Sequence, residues 1–293
     1  MNPFRYLCVF SIVAVATFML AQESALAQTQ AQTPQFLQGW KFGGSIDGYY
    51  TWNFNRPPDG KNALYNFNFN HNQFNLNLIE ATAEKTAAPL GYRMDLNFGQ
   101  AADWVNAADP AGGEFLKYVQ QAYFSYKPGG GKFQLDFGKY VTQHGAEVIE
   151  SKDNWNYSRS LLFAWAIPYY HFGFRTTYAL NDHVALGAGL SNGWNNVVDN
   201  NSGKTFGAQV VLKGSGLTYT QNYMVGREQT ASDTRHLIDS TLIYDATEKV
   251  SLKANYDYGM DRVSGRRVRW QGIGAYARFS PSSWFRVVGA VMP

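Results

Sequence analysis

From residue 40 to residue 291 the chain alternates in twos, and that periodicity constrains its fold more than any other feature. Over residues 40–52 the even positions Trp40, Phe42, Ile46, Tyr50 and Trp52 are large and apolar. Lys41, Ser45, Asp47 and Thr51 between them are polar. Tyr92, Met94, Leu96 and Phe98 alternate with Arg93, Asp95, Asn97 and Gly99, and Phe133, Leu135 and Phe137 with Gln134, Asp136 and Gly138. The pattern returns where Val250, Leu252, Ala254, Tyr256 and Tyr258 alternate with Ser251, Lys253, Asn255, Asp257 and Gly259. Side chains of a strand point alternately to opposite faces, so each segment has one apolar and one polar face. Weaker alternation fills the gaps at 74–83, 119–126, 171–178, 184–190, 205–212, 216–223, 236–244, 271–279 and 284–291. The total is about 13 strands, each near the length of a tilted membrane-spanning strand.

The connections alternate as well. Short ones (85–90, 127–132, 179–183, 213–215, 245–249, 280–283) are interleaved with long ones (53–73, 100–116, 139–170, 191–204, 224–235, 260–270). A soluble sandwich also has alternating strands, but nothing in it requires turns on one side and loops on the other. An outer-membrane barrel does, with short periplasmic turns and long outer loops. Rings near strand ends (Tyr123, Tyr126, Tyr178, Tyr219, Tyr223, Tyr244, Tyr256, Tyr258, Phe279) are expected to form its interfacial girdles. The fold class expected over residues 39–293 is therefore all-β, a transmembrane antiparallel up-and-down β-barrel.

The N-terminus supports export. Arg5, the apolar run from Leu7 to Leu20 and Ala25-Leu26-Ala27 have the three-part form of a secretory signal peptide over residues 1–27. The run is too short for a spanning helix, which needs about 20 residues. Residues 28–38 read as a short polar linker. Cys8, the only cysteine, lies in the signal segment, which excludes a disulfide scaffold. With 25 Lys+Arg against 22 Asp+Glu, the charge is too balanced for a nucleic-acid binder. Aromatic residues at 16 % oppose disorder. No later stretch reaches 18 apolar residues, so any crossing of a membrane must be made by strands.

Ionised groups are tolerated on the water-filled side of a barrel and costly on its lipid side. The alternation assigns Arg93, Asp95, Asp136, Arg175, Asp239, Lys253, Asp257, Arg278 and Arg286 to the lumen. Five bases against four acids predict mild selectivity, leaning to anions. Gly187, Gly189, Gly272 and Gly274 share that wet face and would admit a closely approaching segment. The longest loop, 139–170, is the candidate, with Glu147, Glu150, Lys152, Asp153 and Arg159 among Trp155, Tyr157 and Trp165. An ordinary exposed loop is the other reading of that segment.

Enzymatic motifs are incomplete. Ser191-Asn192-Gly193 has the look of an outer-membrane phospholipase serine motif, which requires a His two residues earlier, but Gly189 stands there and His183 is eight residues away. The segment from Asp199 to Gly203 lacks the Gly and Glu of a calcium loop, since Lys204 and Val210 hold those positions. The five His residues show no close pair in sequence, so no zinc constellation emerges. No catalytic residue, metal ligand or cofactor is predicted.

Several stretches match a known family. They are G-K-Y-V-T-Q-H-G-A-E-V-I-E-S (138–151), N-W-N-Y-S-R-S-L-L-F-A-W-A-I-P-Y-Y-H-F-G (154–173), S-N-G-W-N-N-V-V-D-N-N-S-G-K-T (191–205) and L-K-A-N-Y-D-Y-G (252–259). In these the chain resembles the OmpL-like β-barrel porin family of bacterial outer membranes. The resemblance implies an outer-membrane pore for small solutes and brings no catalytic or ligand residues. The chain departs from the family by stopping at Pro293 after an odd number of strands, so truncation is expected, leaving an open barrel with two unpaired edges. The function expected is passive diffusion of small hydrophilic solutes, in contact with outer-membrane lipid and not nucleic acid. A plugged structural or adhesive barrel, and more remotely a lipid hydrolase, are the alternatives. Association into a homo-oligomer is compatible with this reading, and the sequence does not specify it.

Overall fold

A computed structural model describes residues 9–10, 37–109, 115–129, 131–228 and 233–291. The signal segment falls outside these except for Val9–Phe10, whose backbone pairs with Trp52–Asn53. Thirteen strands form one antiparallel sheet in which every strand pairs with its sequence neighbours. They are β1 Trp40–Tyr50, β2 Phe74–Lys85, β3 Leu90–Phe98, β4 Val119–Tyr126, β5 Phe133–Val141, β6 Tyr170–Ala179 and β7 Val184–Ser191. The rest are β8 Thr205–Gly214, β9 Leu217–Gly226, β10 Arg235–Asp245, β11 Val250–Val263, β12 Arg266–Phe279 and β13 Val287–Val291. Among the described residues β1 and β13 do not pair with each other, so the sheet is open along that seam. No described helix is long and apolar enough to cross a membrane.

Long-range contacts show that the sheet curls. Lys152 Nζ lies 2.5 Å from Glu80 Oε2 on β2, and the Trp155 ring lies 4.4 Å from the Arg278 guanidinium on β12. β2 and β12 are ten strand spacings apart, about 48 Å in a flat sheet. Three residues of chain reach only about 11 Å, and side chains cannot bridge the remainder. The sheet must wrap around the loop that carries both residues.

The two faces differ in chemistry. Phe42 and Ile46, 65 % and 68 % exposed, point outward with Leu186, Val210, Leu242, Leu252, Ile273 and Phe279. The inner face carries Glu80, Asp95, Gln121, Asp136, Asn222, Asp239 and Asp257, all buried. Register keeps one face together across strands, because residues directly opposite share a side. Arg93 thus stands opposite Tyr123, and Asp136 opposite Arg175. That pairing corrects one girdle assignment. Tyr123 lies on the inner face, where its ring is 5.1 Å from the Arg175 guanidinium.

A second correction concerns residues 260–270, expected to be a long loop. Pairing instead runs without a break from Met260↔Arg269 to Val263↔Arg266. A two-residue turn closes the hairpin, with Ser264 and Gly265 at φ 50° and 78°. Positive φ at both positions is the turn geometry that matches strand twist. Arg262, Arg266, Arg267 and Arg269 interrupt the polarity alternation here. Beyond the lipid a strand needs no apolar face, so backbone pairing outlasts the sequence pattern.

Candidate functional site

The strands bring most of the assigned charges to the inner wall, largely as pairs. Arg93 holds Asp95 and Glu84, each at 2.7 Å. Asp95 also accepts from Gln121 Nε2 at 2.5 Å. Arg175 donates to Asp136 at 2.8 Å, and Asp136 accepts from Ser125 and Gln134 as well. Asp239 and Asp257 are directly opposite on β10 and β11, both fully buried. Lys253 donates to the Ala146 carbonyl at 2.7 Å, and Arg278 to the Ser251 hydroxyl at 3.0 Å. Arg286 differs from the assignment by lying outside the strands, exposed in the turn before β13.

Residues 142–169 connect β5 to β6 and cross the inner face. At the β10–β11 wall both Asp239 oxygens accept from the Gly145 amide, at 2.8 and 3.0 Å. Asn255 Oδ1 accepts from the Ala146 amide at 3.1 Å. At the β1–β2 wall Tyr157 donates to Asp47 at 2.9 Å, and Lys152 meets Glu80. Gly272 fits the expected role of admitting the loop, since a Cβ there would lie 2.6 Å from Leu162 Cδ2. Gly187 faces Gln209 of the neighbouring strand instead.

The five charged loop residues divide into two groups. Lys152 and Asp153 are exposed, and Glu150 is half-buried. Burial pushes the Glu150 carboxyl up, with Glu80 adding repulsion. Glu147 and Arg159 are buried inside the loop. Glu147 accepts from the Ser160 amide at 3.0 Å and from its hydroxyl. Arg159 donates to the carbonyls of Tyr157, Val148 and Ile149, and stacks 4.3 Å from Phe67. A buried arginine that satisfies three carbonyls acts as an internal strut, because the loop has no strand partner for them.

Sequence reasoning missed the anchors on β1 and β2. Asp47 sits on the polar phase of β1, and its alternation was the available signal. Glu80 was hidden because Asn77 and Leu78 are both buried, next to a register shift between Asp47 and Gly48. A bulge of that kind breaks the two-residue count. Far apart in sequence, His144 and His171 come together in space, with ring centroids 6.3 Å apart. Among the described residues no group of three His, Cys, Asp or Glu could hold a metal. His183 Nδ1 donates to the Lys213 carbonyl, and no described His bonds the Ser191 hydroxyl.

His144 makes the loop sensitive to acid. Burial first, and His171 second, push its imidazole down to about 3 from 6.5. The folded form therefore favours the neutral ring, and its stabilising contribution is full above 6.5 and is lost as pH falls towards 3. Hydrogen exchange at residues 143–146 is expected to accelerate between pH 6 and 4 in the wild type, after correction for intrinsic rates. His144→Gln should flatten that dependence.

Among curated proteins, none matches this chain in sequence. A solved porin is similar in structure at TM-score 0.47 and 12 % identity, covering 86 % of this chain and 82 % of that one. OmpT of Vibrio cholerae, an outer membrane protein in its trimer form, is similar at TM-score 0.41 and 14 % identity, covering 74 % and 80 %. The family model described as "Putative beta-barrel porin-2, OmpL-like" matches residues 39–289. That match runs from the start of β1 into β13, over the strands and the inward loop alike, and the chain belongs to this OmpL-like β-barrel porin family of the outer membrane.

Proposed function

We propose that this protein is a passive diffusion channel for small hydrophilic solutes and performs no covalent chemistry. The observation that carries the reading is the loop 142–169 held against two walls of a polar inner face while the outer face is apolar. A loop fixed across the inner face narrows the path without lining it with grease, and the charges around it filter solutes by Coulomb barriers. Arg93, Asp95, Asp136, Arg175, Asp239, Lys253, Asp257 and Arg278 would line that path, and lipid would contact the outer face. Residues 1–27 would direct export and be removed.

A plugged structural barrel is the second reading. It is favoured by the buried cluster of Phe67, Phe163, Ile167, Tyr169 and Tyr170, which packs loop against loop on the inner side. Planar bilayers separate the two. The mature protein is expected to give discrete, ohmic current steps in 1 M KCl (an assay condition of order 1 M, where screening length is about 3 Å). A bilayer that stays sealed with folded protein inserted would sink the channel reading.

A further inference from the structure

The inner-wall cations are not equivalent. Arg93, Arg175 and Arg235 each hold a carboxylate at 2.7 or 2.8 Å, so their fields are largely cancelled. Among the described residues Arg278 has no carboxylate within ion-pair distance; its guanidinium donates to Ser251, whose hydroxyl passes on to Asp245 at 2.6 Å. The Trp155 indole of the inward loop lies 4.4 Å from Arg278 and 4.8 Å from Lys253, so one ring contacts both cations. Lys253 donates to the Ala146 carbonyl, and the Glu147 carboxylate acts on it electrostatically. Towards the turn side, Arg278 borders a recess of about 420 Å³ with Lys249, Arg286, Ser280, Ser282 and Glu248. Among the described residues neither Lys249 nor Arg286 has an ion-pair partner, and Glu248 is the lone acid there.

We propose that this recess is an anion-binding subsite, that Arg278 is its specificity-determining residue, and that the preferred solutes are small oxyanions bearing phosphate or carboxylate groups. The inference deepens the channel reading and rests on it for transport, though not for binding. Uncancelled cations beside low-dielectric walls concentrate anions locally. The guanidinium fork suits a planar or tetrahedral oxyanion better than a point charge does, and serine hydroxyls supply further donors. Trp155 keeps the guanidinium oriented without neutralising it.

Two measurements test this with full-length mature protein. Pyrophosphate, titrated at low salt into detergent-solubilised protein, is expected to bind the wild type. Arg278→Gln should weaken it about tenfold or more, the scale of one lost charge-assisted contact, and Arg278→Lys should restore part of the affinity. In bilayers under a KCl gradient, the reversal potential should show chloride preferred, with Arg278→Gln losing most of that preference. Equal pyrophosphate affinity in wild type and Arg278→Gln overturns the subsite, as does a cation-selective wild type. A protein that binds pyrophosphate through Arg278 but never conducts supports the subsite and removes only the channel reading.

Discussion

Replacing residues 147–164 by a short glycine–serine link is expected to raise single-channel conductance several-fold. The strand pairs do not involve this segment, so the wall remains. What is lost is the bridge from Asp239 and Asn255 to Asp47 and Glu80. Pore resistance is set by the narrowest section, so clearing that section changes current more than altering any single charge on the wall. The same deletion also removes Trp155 from Arg278, and chloride preference should fall as conductance rises. Because part of the buried cluster goes with the loop, Lys152→Ala with Tyr157→Phe provides a gentler check. It releases only the β1–β2 end and should increase current noise. Unchanged conductance in the deletion, with native β content by circular dichroism, would falsify the loop as the constriction.

The second large effect is thermodynamic. Ala188 points outward near the middle of β7, opposite Thr176 and Ala208. Ala188→Arg is expected to cost about 2–4 kcal/mol, the range for a charge near the bilayer midplane on a lipid face. Thr177→Arg, on the inner face beside Gln134, Arg175 and Gln209, should cost little. The two sites are neighbours in the sheet and take the same new residue, so any difference reports the face alone. Reversible denaturant unfolding in lipid vesicles measures both. Similar losses would mean that the two faces see similar solvents.

Much of this was legible beforehand. Alternation identified all 13 strands, because a strand between lipid and water must sort its side chains in twos. The sequence pattern failed where that sorting is not demanded: in the Arg-rich hairpin at 260–270, at the doubled burial of Asn77 and Leu78, and at Tyr123. The charged positions on the strands were readable from phase. Their partners were not, because Arg93 with Glu84 or Arg175 with Asp136 depends on which strands become neighbours and in what register.

The sequence by itself determined the strands, the polarity of their faces, the order of turns and loops outside residues 260–270, and the family. These follow from local rules that act within one or two strands. Only the tertiary structure decided that Arg159 is a strut, that Glu80 is an anchor, and that Arg278 keeps an uncancelled charge. Those outcomes depend on a loop reaching across the inner face to strands far away in the chain, and on which carboxylates the curl of the sheet brings within Coulomb range.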